Sequence, residues 1–558
     1  MRVASSPIMP WESGLQPDPI QIIEAGILPP PAEALSLLGG KAFNLVVLAA
    51  MGLPVPPGFV LPTSLCAQWI ADGPPPMDEF RARVAGPLSR LEQATGLAFG
   101  DARRPLLVSV RSGPPISMPG MLDTILNVGL TRATLPGMMA LTGDPRLVWD
   151  CYARLVRSYG QVVHGLDPAP FEDASARALL AGQAGGQSDL DTLSLRGLAL
   201  RYLDIFEDLS GRAFPDTPME QLLLSVDAVF RSWESERAKT YRRIRSLTDL
   251  PGTAVTVQRM VYGNSGPKSG SGVGFTRDPA TGEKRLYLDF SFNAQGDDVV
   301  SGRRRVTPAS MLSRIMPQVA QGLEHVARQM EDRFHDMQDF EFTVEDGRLF
   351  LLQTRAGKRS AWARLKIAVD MVREGLIGVE EGLRQLEGLD YAAITRRRVV
   401  GAHGDAIAKG TPAGIGAATG AIVMSADVAR QFARQGRPAI LVSNDLLTED
   451  IEGIASAEGL LAAHGGRTSH AAVVARELGK VAIVGCADLV VAPDRKNCVI
   501  AGRRFDSGAE ITLDGESGCI YEGRITIDEE RPYDELATVE SWMLAGPGMM
   551  PGIAFPSG

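Results

Sequence analysis

Paired glycines followed by a capped helix that opens on a histidine can present an imidazole nucleophile to phosphorus. Residues 459–476, GLLAAHGGRTSHAAVVAR, have that order. The apolar run predicts a strand, Gly465 and Gly466 permit a tight turn with exposed amides, and Thr468 and Ser469 can cap a helix beginning around His470. Cap hydroxyls and the positive end of the helix dipole favour an anion at that point, so a phosphorylated imidazole is stabilised where it forms. A lone histidine in such a place is more often a simple helix cap, and spacing by itself does not separate the two readings.

Other segments carry groups suited to polyphosphate. LLGGKAFNL (37–45) sets Lys41 after two glycines, and LLVSVRSGPPISMPGMLDTILNVGL (106–130) reads as a strand entering a loop headed by Arg111. A compact ammonium and a forked guanidinium, both offered by glycine-rich loops, complement phosphate oxygens. In 252–284, Gly270, Gly272 and Gly274 predict a loop whose backbone can approach a nucleotide closely. MQDFEFTVEDGRLFLLQTRAGKR (337–359) reads as two strands joined by a turn at Glu345-Asp346-Gly347. Asp339 and Glu341 then share a face, because side-chain direction along a strand has period two. With Gln353 and Arg355 on the neighbouring strand they form an oxygen-rich set suited to Mg²⁺ bridging phosphates. Read singly, each segment is equally a surface cation or an acid-decorated hairpin.

These elements sit in a chain of 558 residues, long enough for three or four domains. Hydrophobic residues at 45% and charged residues at 22% are ordinary globular usage, which excludes disordered and collagen-like classes. The net charge of −9 gives no global attraction to nucleic acid or to an anionic membrane, and neither is expected as a partner. Five dispersed cysteines without CxxC spacing fit reduced thiols, and the N-terminus shows no apolar signal core, so a cytoplasmic protein is expected. Short strand-like runs mixed with helices occupy 1–360, with 181–189 as a glycine-rich loop. A helix-patterned connector covers 361–400, and 401–525 holds strand candidates at 421–424, 439–442 and 481–484 around the helix 469–478. The segment 526–558 begins charged, with a helical reading, and ends in glycine and proline.

The complete string at 465–476 closely resembles the phosphohistidine motif of the pyruvate phosphate dikinase and phosphoenolpyruvate synthase superfamily, GG-x-TSHAAVVAR. The strings around Lys41 and Arg111, together with MPGMLDTILN (118–127), SGSGVGFTRDP, NAQGDDVV and DFEF…LFLLQTR, resemble the dikinase in family order over most of 35–525. The resemblance implies an α/β and α+β multidomain architecture. An ATP-grasp-like nucleotide-binding domain (1–360, subdomains about 1–250 and 251–360) precedes a linker and a swivelling phosphohistidine α/β domain (401–525).

It further implies that Lys41, Arg111, Arg355, Asp339, Gly270 and Gly272 bind ATP and its phosphates, and that Glu341 and Gln353 hold magnesium. His470 is implied as the residue phosphorylated, with inorganic phosphate as co-substrate, and Thr468 matches the threonine that regulatory kinases modify in some dikinases.

Three departures stand out. Family members continue into a TIM barrel that binds pyruvate or phosphoenolpyruvate and supplies a catalytic cysteine, whereas this sequence ends after the histidine domain. The acceptor is expected on a separate subunit or protein or at a site not recognised in this sequence, unless the sequence is a fragment of a longer dikinase. Ser443, in a stretch where LTED replaces T-S-P-E-D, and His464 each stand where the family usually has arginine. The competing reading is a nucleotide-binding phosphocarrier or regulatory protein without net metabolite turnover.

Overall fold

The computed structural model describes residues 20–116, 118, 121–247, 250–296, 309–400, 405–445, 451–467 and 470–545. The chain divides into two units, each discontinuous in sequence: 1–269 with 343–355, and 270–342 with 356–558.

In the first unit five antiparallel strands run in the order Gln21–Ile23, Gly58–Leu61, Ala254–Arg259, Val108–Gly113, Thr124–Val128. The alternation along Gly58–Leu61 shows how the layers form. Phe59 and Leu61 join the core made with the helices Pro145–Val163, Thr192–Ser210 and Pro218–Ser232, while Val60 between them joins the cluster under the helix Leu35–Ala50. Asp144 and Asp191 cap two of the large helices by accepting from Leu147 N and Ser194 N. Among the described residues, Ala32–Ala50 is the one helical stretch long and apolar enough to cross a membrane. Its residues Leu38, Ala42, Leu45 and Val46 are buried against Ile23, Val60 and Ala254 of the sheet.

That helix is bent. Gly39 lies at φ 71°, and a Cβ there would sit 1.7 Å from the Gly113 carbonyl oxygen. Only glycine allows the helix start to touch the strand Val108–Gly113 backbone to backbone. The Gly40 amide then donates to the Pro114 carbonyl at 3.1 Å.

In the second unit the strands Gly270–Phe275 and Tyr287–Phe292 pair antiparallel, with Phe275 opposite Tyr287. The connector consists of the helices Ala361–Arg373 and Val379–Gln385, on which Val539 and Trp542 of the helix Tyr533–Ala545 pack. Two readings of this region change. The connector does not stay helical but ends in the strand Arg396–Val399. The charged stretch after 526 starts as the strand Ile527–Glu530, not as a helix. These two strands pair with each other, setting Arg396, Arg397 and Arg398 opposite Glu530, Glu529 and Asp528. Opposite charges across an antiparallel pair favour this register.

Beyond the ribbon, an eight-stranded sheet has a parallel centre: Ala417–Val423, Ala439–Ser443, Gly459–Ala462 and Val481–Val484. The helix His470–Glu477 is the crossover between the last two of these. The strands and helix read from the sequence of this region are present.

Because Gly39 meets another backbone and not a movable side chain, Gly39→Ala is expected to cost about 2–4 kcal/mol. Gly40→Ala, whose methyl would lie 3.3 Å from Pro115 O, should cost clearly less. Urea denaturation of the two variants measures the difference.

Candidate functional site

In the first unit the bend at Gly39 fixes where Lys41 stands. Lys41 does not extend from a glycine-rich loop, as its sequence suggested, but occupies the helix just after the bend. Arg111 likewise lies inside the strand Val108–Gly113 and does not head the following loop. The two elements are joined by the contacts of Gly39 with Gly113 and of Gly40 with Pro114. Both then engage one further strand, Arg348–Ala356. Arg111 Nη1 donates to the Leu352 carbonyl at 3.4 Å, and Asn44 Nδ2, three residues after Lys41, donates to the Thr354 carbonyl at 2.8 Å. Gln353 and Arg355 alternate with those two carbonyl-bearing residues along this strand, and Gln353 is buried. The structure thus brings Lys41, Arg111, Gln353 and Arg355 onto three contiguous elements. Sequence reading missed Asn44, although its i, i+3 spacing from Lys41 places both on one helix face.

In the second unit, Asp339 and Glu341 lie on the strand Gln338–Glu345; Asp339 is buried and Glu341 is half-buried. The expected alternation holds, with Phe340 and Phe342 buried on the other face. Gly270 and Gly272 correct their reading as a nucleotide-approaching loop, because they lie in the buried strand Gly270–Phe275. A Cβ on Gly270 would meet Phe290 Cζ at 2.2 Å, on Gly272 Phe342 Cζ at 2.5 Å, and on Gly274 Phe340 Cζ at 2.5 Å. These glycines make room for aromatic rings beneath the acidic strand, which is a packing demand.

The next residues tie the same strands together. The Thr276 amide donates to the Gln338 carbonyl at 2.9 Å, and the Gln338 amide donates to Thr276 Oγ1 at 3.0 Å. Arg277, fully buried, forks onto both oxygens of Glu331 (3.0 and 2.9 Å) and both of Glu374 (3.1 and 2.6 Å). Burial works against its charge, but these carboxylates raise its pKa further above the usual arginine value.

His470 is the first residue of its helix, at the carboxyl end of the parallel strand Gly459–Ala462, where open α/β sheets place ligands. Thr468 lies outside the described residues. His464 is exposed, with Nδ1 3.2 Å from Asp445 Oδ1, and Ser443 Oγ donates to the Asp445 carbonyl at 2.6 Å. Both departures from the family's arginines therefore converge on Asp445.

Two arginines bracket His470 and received no role from sequence reading. Arg467 lies 4.7 Å over the Tyr287 ring, and Arg476, 2% exposed, lies 5.5 Å over Phe275. Arg476 also donates Nη2 to the Arg467 carbonyl at 2.7 Å and Nε to the Ala413 carbonyl at 3.3 Å.

Four of the five cysteines, Cys66, Cys151, Cys486 and Cys498, are buried, and burial pushes the Cys66 and Cys498 thiols up to about 11, unlike an activated nucleophile; Cys519 is partly buried. Among the described residues no group of three or more His, Cys, Asp or Glu forms a metal cage. Magnesium is commonly held by one or two protein oxygens plus phosphates, so the donor types of Glu341 and Gln353 remain compatible with it.

Together the two units make a multidomain protein of mixed α/β and α+β class, with a phosphohistidine-type α/β body in the second. Residues 76–314 match the family profile described as pyruvate phosphate dikinase, AMP/ATP-binding domain, and 436–518 match PEP-utilising enzyme, mobile domain. Arg111, Gly270 and Gly272 fall in the first range and His470 in the second; Lys41 and 339–355 fall outside both. The pyruvate, phosphate dikinase of Clostridium symbiosum is 40% identical over 92% of this chain and 59% of its own length. That of Rhizobium meliloti (strain 1021) is 40% identical over 92% and 58%, and pyruvate, phosphate dikinase 2 of Zea mays is 42% identical over 91% and 58%. The chain belongs to the pyruvate phosphate dikinase family of PEP-utilising enzymes, with an ATP-grasp-like nucleotide-binding portion. It spans under three-fifths of the length of these three relatives.

The buried cluster at Arg277 yields a paired expectation. Glu331→Gln, at a 5% exposed side chain, should destabilise the second unit by about 3 kcal/mol. Burial raises the Glu374 pKa, but hydrogen bonds from Arg277 and Lys284 outweigh it and hold the carboxyl below its usual range. Its contribution is therefore complete above the ordinary carboxylate range and is lost as pH falls through the depressed value. Glu374→Gln should flatten that acid limb in denaturation curves recorded from pH 6 to pH 3.

Proposed function

We propose that this chain carries out the ATP half-reaction of a dikinase-type phosphotransferase. Lys41, Arg111 and Arg355 offset charge on the triphosphate, and Asp339 flanks the nucleotide, on a strand that the Gly270–Gly272 segment backs through its aromatic packing. Glu341 and Gln353 are the proposed magnesium ligands; magnesium, when bound, withdraws charge from phosphate oxygens. The imidazole of His470 attacks the β-phosphorus in line, the bond from that phosphorus to the α,β-bridging oxygen breaks, and AMP leaves with the bridging oxygen. Inorganic phosphate then attacks the terminal phosphorus of the pyrophosphoryl-histidine. Pyrophosphate departs and phosphohistidine remains, ready for an acceptor such as pyruvate held elsewhere.

Positioning and electrostatics supply the rate, as is general for phosphoryl transfer. The paired strands Arg396–Val399 and Ile527–Glu530 would carry the hinge, and the cytoplasm is the proposed location.

One observation carries this reading: the intact string GGRTSHAAVVAR follows the strand Gly459–Ala462, and its helix starts at His470. In the first unit, the anchoring of the Lys41 helix through Asn44 and of Arg111 on the one strand Arg348–Ala356 supports it.

Incubation with Mg²⁺, phosphate and β-³²P-labelled ATP should give stoichiometric AMP and an acid-labile, base-stable label. His470→Ala and EDTA should each abolish the label, and Arg111→Ala should slow it by about 10²-fold or more. Tight ATP binding with neither AMP nor label, at any phosphate concentration, would replace this reading with that of a nucleotide-sensing carrier.

A further inference from the structure

Phe275 and Tyr287 lie directly opposite each other in the register of their two strands, with ring centroids 6.1 Å apart and planes at 71°. Each ring carries a guanidinium: Arg467 over Tyr287 and Arg476 over Phe275. Arg467 stands three residues before His470 and Arg476 within the histidine helix, and the Arg476–Arg467 carbonyl bond links them. A third contact comes from the same side, Tyr287 Oη donating to the Pro412 carbonyl at 3.4 Å.

Among the described residues neither arginine has a carboxylate partner, and Arg476 Nη1 has no hydrogen-bond partner. A guanidinium that is 98% buried normally demands a counter-charge. Here two carbonyls and an aromatic face take that place. Tyr287 is itself 7% exposed, and burial raises its pKa, so it stays a neutral ring at physiological pH.

The location of the rings gives the contact its meaning. Phe275 precedes Thr276, which is bonded in both directions to Gln338, and Gln338 precedes Asp339. The two arginines thus grip the aromatic end of the layer whose next strand bears Asp339 and Glu341.

We propose that Arg467 and Arg476, seated on Tyr287 and Phe275, form a latch that holds the histidine-bearing sheet in its phosphoryl-receiving position. This rests on the reading that His470 is phosphorylated from ATP. The latch residues are positioning residues: they touch neither nucleotide nor imidazole in the mechanism above. Cation–π contacts suit a latch that must also open, since they are short-ranged, individually modest and less sensitive to salt when desolvated than an exposed ion pair.

The test is a double-mutant cycle of Arg467→Ala and Tyr287→Leu, with Tyr287→Phe as the conservative variant. Either single change should slow His470 labelling about tenfold with ATP affinity unchanged, and the double variant should be no slower than the worse single one. Tyr287→Phe keeps the ring and should label close to the unaltered rate. By small-angle scattering, the radius of gyration should rise in Arg467→Ala and Tyr287→Leu but not in Tyr287→Phe.

Additive effects, unchanged labelling, or equal loss in Tyr287→Phe would overturn the latch. If Tyr287→Leu does not fold, Arg467→Ala, at a half-buried side chain, gives the same two readouts. If the unaltered protein takes no label, the phosphotransferase reading fails. Scattering then decides the latch alone, an unchanged radius in Arg467→Ala overturning it.

Discussion

Two backbones touch where the helix Leu35–Ala50 crosses the strand Val108–Gly113, and the rest of the cation cluster is arranged around that touch. Any side chain at Gly39 would overlap the Gly113 carbonyl, so the helix would stand off and take Lys41 and Asn44 away from the strand bearing Arg111. With glycine there, one hydrogen bond from Gly40, one from Asn44 and one from Arg111 bind three elements drawn from distant parts of the chain. The charged ends need little further organisation, because the neutral backbone has already chosen their positions.

The second unit solves a different problem with aromatic rings. Glycines at 270, 272 and 274 remove side chains from a buried strand, and Phe290, Phe342 and Phe340 fill the space. The acids Asp339 and Glu341 consequently sit on the face opposite a rigid ring layer, on a strand tied to Thr276 and, one residue further, to the buried Arg277 cluster. Rigid backing of this kind keeps two carboxylates in one orientation although like charges repel.

Much of this was legible in the residues. The histidine crossover followed from an apolar run, two glycines and a helical repeat, local signals that tertiary context did not override; the capping hydroxyls read at Thr468 and Ser469 lie outside the described residues. The hairpin strands around Asp339 and Arg355 were read correctly for the same reason, with Asp346 at φ 48° and Gly347 at φ 76° between them. Glycines misled. At 270–274 they indicated a loop, because no local pattern shows that phenylalanines from two other strands will occupy the vacated space. The strand pair Arg396–Val399 and Ile527–Glu530 was equally hidden, since RRR and DEE lie some 130 residues apart and each reads alone as a solvated charge run. Arg467 and Arg476 were visible as letters of a motif, but their aromatic partners lie nearly 200 residues earlier, beyond any periodicity argument.

The ribbon of Arg396–Val399 with Ile527–Glu530 has a topological meaning as well. The chain leaves for the histidine-bearing sheet and comes back at adjacent points, Arg396 facing Glu530. Everything between is therefore an inserted cassette with its two ends side by side. Such a body can be spliced out or exchanged between hosts without threading the chain through either one. A tether of two hydrogen-bonded strands also behaves as a leaf spring: it bends across its flat face far more readily than it shears or spins. A rigid plate on such a spring has few directions in which to travel, so its path is set by the ribbon before any partner is met.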